Sequence, residues 1–157
     1  MRATAGVTAT AAAPAVGAAA AGLPTTHVTV GGRTISVEVA ATEAAREQGL
    51  SDRDTLPEDS GMLFDLGQVK TATFWMKDMR FPLDMVWITE GRTVAGVATD
   101  VQPQPGAADG DLTLYRSPVP VRYVLELNAG AAARLGFSDG ARVGFDLPPV
   151  SGTPGAR

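Results

Sequence analysis

Residues 27–40, HVTVGGRTISVEVA, alternate apolar and polar side chains on either side of a Gly31-Gly32 pair. Successive side chains of a strand point to opposite faces, so Val28 and Val30, then Ile35, Val37 and Val39, share one face, while Ser36 and Glu38 share the other. A helix would scatter the same residues around its axis. Two glycines between two alternating runs also suit a tight hairpin, whose turn needs positive φ. No other feature constrains the fold as strongly: this chain is built on paired strands.

Shorter versions of the signal recur down the sequence. MLFDL (62–66) predicts a brief buried strand, and TFWM (73–76) another, with Phe74 and Met76 on one face and Trp75 and Lys77 on the other. Pro82 breaks the chain before DMVWI, which with TVAGVATDV reads as two more antiparallel strands. After a QPQPGAADGD loop, VRYVLELN sets Val121, Tyr123, Leu125 and Leu127 against Arg122, Val124, Glu126 and Asn128, and ARVGF supplies a last strand beyond the Asp139-Gly140 turn. Helix signals are few. Thr42 is placed to cap EAAREQ, with Glu43 in its first turn and Gly49 as its stop, and Asn128 is expected to cap AGAAARL, ended by Gly136. Roughly seven short strands and two small helices predict a mainly β (β-rich α+β) domain, closed or nearly closed into a barrel.

A chain of 157 residues with 45% hydrophobic and 19% charged residues has the profile of one domain with a real core. That domain is expected over residues 27–147. Residues 1–26, almost entirely Ala, Gly, Thr, Val and Pro, carry too little apolar area to order themselves. They read either as a signal-derived or linker segment of an exported protein, since Arg2 and AAAAG suit the ends of a signal, or as a plain flexible arm. Residues 148–157 read as a loose tail. No run approaches the 18 or more apolar residues of a membrane span.

Composition removes several chemistries. With no cysteine and a single histidine, His27, there is no disulfide scaffold, thiol nucleophile, Cys/His zinc site or His-dependent triad, and neither a metal nor a cofactor is expected. The net charge is −4 and the 13 basic residues are dispersed, so nucleic acid is not an expected partner. What survives is carboxylate, lysine, tyrosine or hydroxyl chemistry.

The candidate functional residues cluster around FWMKDMRFPLDMVWI (74–88), which holds both tryptophans and three of the five methionines. Crowded aromatics and methionines are the usual filling of an irregular β core, and equally the lining of a pocket. Lys77 beside Trp75 can hold an anion over an aromatic floor, or simply make a cation–π contact. Asp78, Asp84 and Glu126 are the carboxylates to weigh as an acid and base pair, although Asp84, following Pro82-Leu83, can equally satisfy backbone amides in a turn. Arg46 and Arg53 can grip a carboxylate or phosphate in bidentate fashion, or pair with acidic neighbours, Arg46 with Glu43 one turn before it. His27 has no identifiable partner.

Taken in order, AREQGLSDRDTLPEDSGMLFDL, FWMKDMRFPLDMVWI and VRYVLELNAGAAARLGFSDGARV resemble the bacterial and archaeal family known as domain of unknown function 192. The resemblance spans roughly Val28 to Phe145 and rests on Arg46, Gly49, Leu50 and Arg53, on Gly61 to Phe64, on Phe74 to Lys77, on Pro82 to Asp84, and on Glu126, Asn128, Ala129 and Gly130. Here Asp78 stands where the family usually shows Asn, Ser51 where a methionine is frequent, and Trp87 near a frequent Phe. The resemblance implies a compact β-barrel-like domain, frequent in exported or membrane-anchored proteins, with no established activity.

These observations lead to three expectations of function. The first is a non-catalytic module outside the cytoplasm that binds a small molecule, sugar or peptide around Trp75, Lys77, Asp78 and Asp84, with Arg46, Arg53, Glu126 and Asn128 as neighbours. The second is a hydrolase using Asp78 or Asp84 with Glu126, which needs two carboxyl groups about 5–9.5 Å apart in an open cleft. The third is an assembly adaptor docking through an exposed apolar patch.

Overall fold

A computed structural model describes residues 22–148. The expectations for the tail, and for all but the last few residues of the N-terminal arm, lie outside this range. Strand β1 (Thr25–Val30) and strand β2 (Arg33–Ala40) form the expected hairpin. Gly31 and Gly32 turn it with φ of 53° and 82°, a region that costs residues with a Cβ. Helix α1 (Glu43–Gln48) follows, with the Thr42 hydroxyl accepting from the Ala45 amide at 3.1 Å.

Strand β3 (Ser60–Lys70) runs parallel to β2 and is longer than its apolar centre suggested. The remaining elements are β4 (Thr73–Phe74), β5 (Leu83–Ile88), β6 (Val94–Val101), β7 (Tyr115–Arg116), β8 (Val121–Asn128), helix α2 (Ala131–Leu135) and β9 (Val143–Phe145). Seven strands form one sheet in the order β6-β5-β8-β3-β2-β1-β9, while β4 and β7 make a separate ribbon. The sheet curls until its outer strands touch at one end. There Thr93 bridges Arg142, the Val94 amide donates to the Ala141 carbonyl at 2.9 Å, and the Val143 amide donates to the Arg92 carbonyl at 2.9 Å. The barrel-like, mainly β fold with two short helices is thus the one expected.

Both faces of the central strands are covered, which is why β5 is buried at all six positions. On one face Val86, Ile88, Leu125 and Leu127 meet the hairpin, α2 and β9. On the other, Phe64, Phe74, Met85 and Trp87 pack beneath the segments that connect the strands, with Phe74 edge-on to both Phe64 and Trp87 at 5.0 and 6.0 Å between centroids. Phe74 and Met76, expected on one face, share this core with Met85 and Trp87.

The strand predicted over TFWM is two residues long. Beyond Phe74 the chain turns through Lys77 and Asp78, so period-two alternation lapses and Phe74, Trp75 and Met76 are all buried. Asp78 takes φ of 59°, and its carbonyl accepts from the Asp52 amide at 2.9 Å. Asn and Asp tolerate this left-handed region better than other residues with a Cβ. The turn geometry therefore suits Asp78.

Candidate functional site

The three sequence blocks meet on the Phe64 and Met85 side of the sheet. Glu126, on β8, has Met62 of β3 and Met85 of β5 as its direct cross-strand partners. All three are 0% exposed, and neither carboxyl oxygen of Glu126 has a hydrogen-bond partner among the described residues. Burial alone pushes this carboxyl well above the ordinary glutamate range, because desolvation penalises the charged form. Glu126 is a fully buried acid on a face it shares with Met62 and Met85.

Asp84 lies on the opposite face. It pairs with Leu127, one position along from Glu126, and a one-residue step in a strand reverses the side of the sheet. Its carboxylate accepts from the amides of Asp100 (2.8 Å), Gly130 (3.0 Å) and Ala132 (3.0 Å). The backbone-satisfying reading of Asp84 is correct, yet its amides belong to β6 and to the start of α2. This corrects the cap assigned to Asn128. The residue at the start of α2 is Gly130, and the cap is supplied by a carboxylate from β5. The Asn128 amide instead donates to the Leu56 carbonyl at 2.7 Å and anchors the segment after α1 over the sheet. The hydrolase pairing of Asp84 with Glu126 fails on the same ground: two buried carboxyl groups on opposite faces of one sheet share no cleft.

The cationic candidates hold the covering segments in place. Arg53 grips Glu38 through two bonds of 2.7 and 2.9 Å, and that hydrogen-bonded carboxylate, with its charge, raises the guanidinium pKa despite partial burial. Arg46 donates to the carbonyls of Ala41 (2.8 Å) and Asp65 (3.0 Å), and no ion pair links it to Glu43 among the described residues. Lys77 sits 5.5 Å from the Trp75 ring centroid, as the cation–π reading required, and also pairs with Asp109 at 2.9 Å. Trp75 is only 7% exposed, so the face it shares with Lys77 is covered, not open. Asp78 is exposed on its turn, as is His27 on β1.

A family model, domain of unknown function 192, described as Uncharacterized ACR, matches residues 26–145. The chain belongs to this family. Two solved structures are similar to this domain of unknown function 192 chain. A proposed transcription regulator from Sinorhizobium meliloti 1021 is 37% identical with a TM-score of 0.70, over 79% of this chain and 95% of that one. A protein of unknown function from Novosphingobium aromaticivorans DSM 12444 is 34% identical with a TM-score of 0.69, over 88% of this chain and 99% of that one. No curated protein matches.

Within the family's blocks, the structure separates two kinds of residue. Asp84, Asn128 and Arg53 spend their polar groups on backbone or ion-pair partners, and Arg46 does so through one terminal nitrogen while its buried Nε has no partner among the described residues. Glu126 spends none. Its distinction is invisible in VRYVLELN, where Glu126 occupies a regular position of an alternating strand; only the covering of that face makes it unusual. Trp75 differs in the opposite sense, since its alternation with Phe74 suggested a second surface that the turn after Phe74 removes.

Proposed function

We propose that this protein is a non-catalytic binding domain for a small ligand, whose site lies beneath the connecting segments, with Glu126 at its floor and Trp75 and Lys77 at its cover. The reading is carried by Glu126: a buried carboxyl without a partner forgoes about 1–3 kcal/mol or more of hydrogen bonding, and proteins keep such groups chiefly where a ligand or reaction uses them. A neutral carboxyl can both donate and accept, so it suits a ligand with one polar handle on an apolar body. The depth of Glu126 favours a small ligand over a sugar chain or a peptide. Asp84, Asn128, Arg46 and Arg53 support the walls in this reading instead of touching the ligand, and exposed Asp78 sits at the rim.

A direct nucleic-acid role for this chain has no support in its net charge of −4 or in arginines 53, 80, 122 and 134, each paired with a carboxylate. The composition of residues 1–26 supports a location outside the cytoplasm, which cell fractionation tests directly. The binding reading is tested by thermal shift against a panel of small metabolites, with wild type, Lys77→Ala and Glu126→Gln in parallel. We expect at least one compound to raise the melting temperature of the wild type and to lose most of that effect in Glu126→Gln. A panel in which no compound distinguishes the two proteins rejects the reading.

A further inference from the structure

The four methionines of the described residues, Met62, Met76, Met79 and Met85, lie in one buried cluster, none more than 2% exposed. Two of them, Met62 and Met85, stand directly opposite Glu126 on its neighbouring strands. Side chains so placed leave the same face of the sheet with Cβ atoms about 4.5–5.5 Å apart. Met62 and Met85 therefore flank Glu126 in a row that crosses β3, β8 and β5, and both oxygens of its carboxyl are without partners among the described residues.

We propose that Met62, Glu126 and Met85 bind a soft monovalent cation, Cu(I), for which Ag(I) is a redox-inert probe. The inference rests on the reading that Glu126 faces a ligand and goes further by naming the ligand's class. Two independent properties select the ion. Thioether sulfur is a soft ligand that favours Cu(I), whereas Ca²⁺ and Mg²⁺ require sets of about six or more oxygens. Among the described residues no group of three or more His, Cys, Asp or Glu side chains could hold such an ion. Charge selects the valence. One carboxylate compensates one monovalent ion, so the buried region gains no net charge. A divalent ion in the same place would leave one uncompensated positive charge in an apolar interior, where isolated charge is costly.

The experiment uses the full chain carrying His27→Ala, which removes the exposed imidazole as a competing silver ligand. Ag(I) is titrated by calorimetry, with stoichiometry from native mass spectrometry. Cu(I) is then measured anaerobically with ascorbate against bicinchoninate. We expect one ion per chain and at least tenfold weaker binding in each of Met62→Leu, Met85→Leu and Glu126→Gln.

Leucine conserves methionine's volume and glutamine is isosteric with a neutral carboxyl, so these variants keep the fold, as near-ultraviolet circular dichroism verifies. Absence of a tight site, or a site that ignores all three substitutions, overturns the proposal. If silver fails while a metabolite still depends on Glu126, the cation is wrong and the binding reading stands. If both fail, both fall.

Discussion

A carboxyl group held as dry as that of Glu126 makes folding depend on pH. Its folded-state pKa is raised by burial, so the folded protein binds a proton that the unfolded chain releases. The stability this contributes is complete below the unfolded value, about 4.3, and is lost as pH rises toward the folded value, by about 1.4 kcal/mol per pH unit. Urea unfolding between pH 4 and 8 is expected to show that decline in the wild type and to flatten in Glu126→Gln, leaving the variant the more stable protein at neutral pH. Asp84 contributes through its hydrogen bonds. Asp84→Ala leaves the amides of Asp100, Gly130 and Ala132 without their acceptor. Charged acceptors are worth about 1.5–3 kcal/mol each before non-additivity, so a loss of about 3–4 kcal/mol is expected in the same measurement, part of it recovered by Asp84→Asn. Neither role can be read from residue type, since both are acids in alternating apolar strands. What separates them is one step of register, which sends Asp84 toward a helix start and Glu126 toward methionines.

Strand pairing imposes constraints that a composition does not reveal. A Cβ on Gly61 would lie 2.5 Å from the Glu126 carbonyl oxygen and 2.8 Å from a Leu127 methyl. Backbone cannot yield as a flexible side chain does, so Gly61→Ala is expected to push β3 from β8 and cost at least the 1–3 kcal/mol typical of overpacking, seen as a lower melting temperature. Gly144 on β9 is the control: nothing lies within 4 Å of its Cβ position, its φ is not positive, and Gly144→Ala should be neutral or stabilising by about 0.5 kcal/mol. The hairpin β1-β2 and helix α1 were legible because their signals are local, a glycine turn between alternating runs and an N-cap threonine. The block after Phe74 was not. Four residues of alternation are too few to distinguish a strand from an extended run into a turn, and the bend at Lys77 and Asp78 is held by distant groups, Asp52 and Asp109.

At the scale of the whole molecule, the outer strands of the curled sheet are joined through residues 92–94 and 140–143. Arg92, at φ of 68°, extends its guanidinium 4.0 Å from the Phe145 ring centroid and donates to the Phe145 carbonyl. This contact fastens β9 beside the start of β6. Removing it in Arg92→Ala costs about 1 kcal/mol by the usual worth of such contacts, equivalent to roughly fivefold faster opening. Native-state hydrogen exchange at the Val94 and Val143 amides should speed by that factor, with the Leu125 amide in the middle of β8 changed less. Equal acceleration everywhere would mean that the closure is not a separable unit.

The sequence by itself determined the class of fold, the hairpin, both helices and the family, because alternation, turn glycines, the Thr42 cap and ordered motif blocks are properties of neighbouring residues. Tertiary structure alone decided that Asp84 and not Asn128 caps α2, that Trp75 lies under cover, and that Glu126 is fully buried with no hydrogen-bond partner among the described residues. Each of those depends on what the far side of a strand meets. A strand pattern specifies which residues share a face, but the chain that comes to cover that face arrives from elsewhere in the sequence.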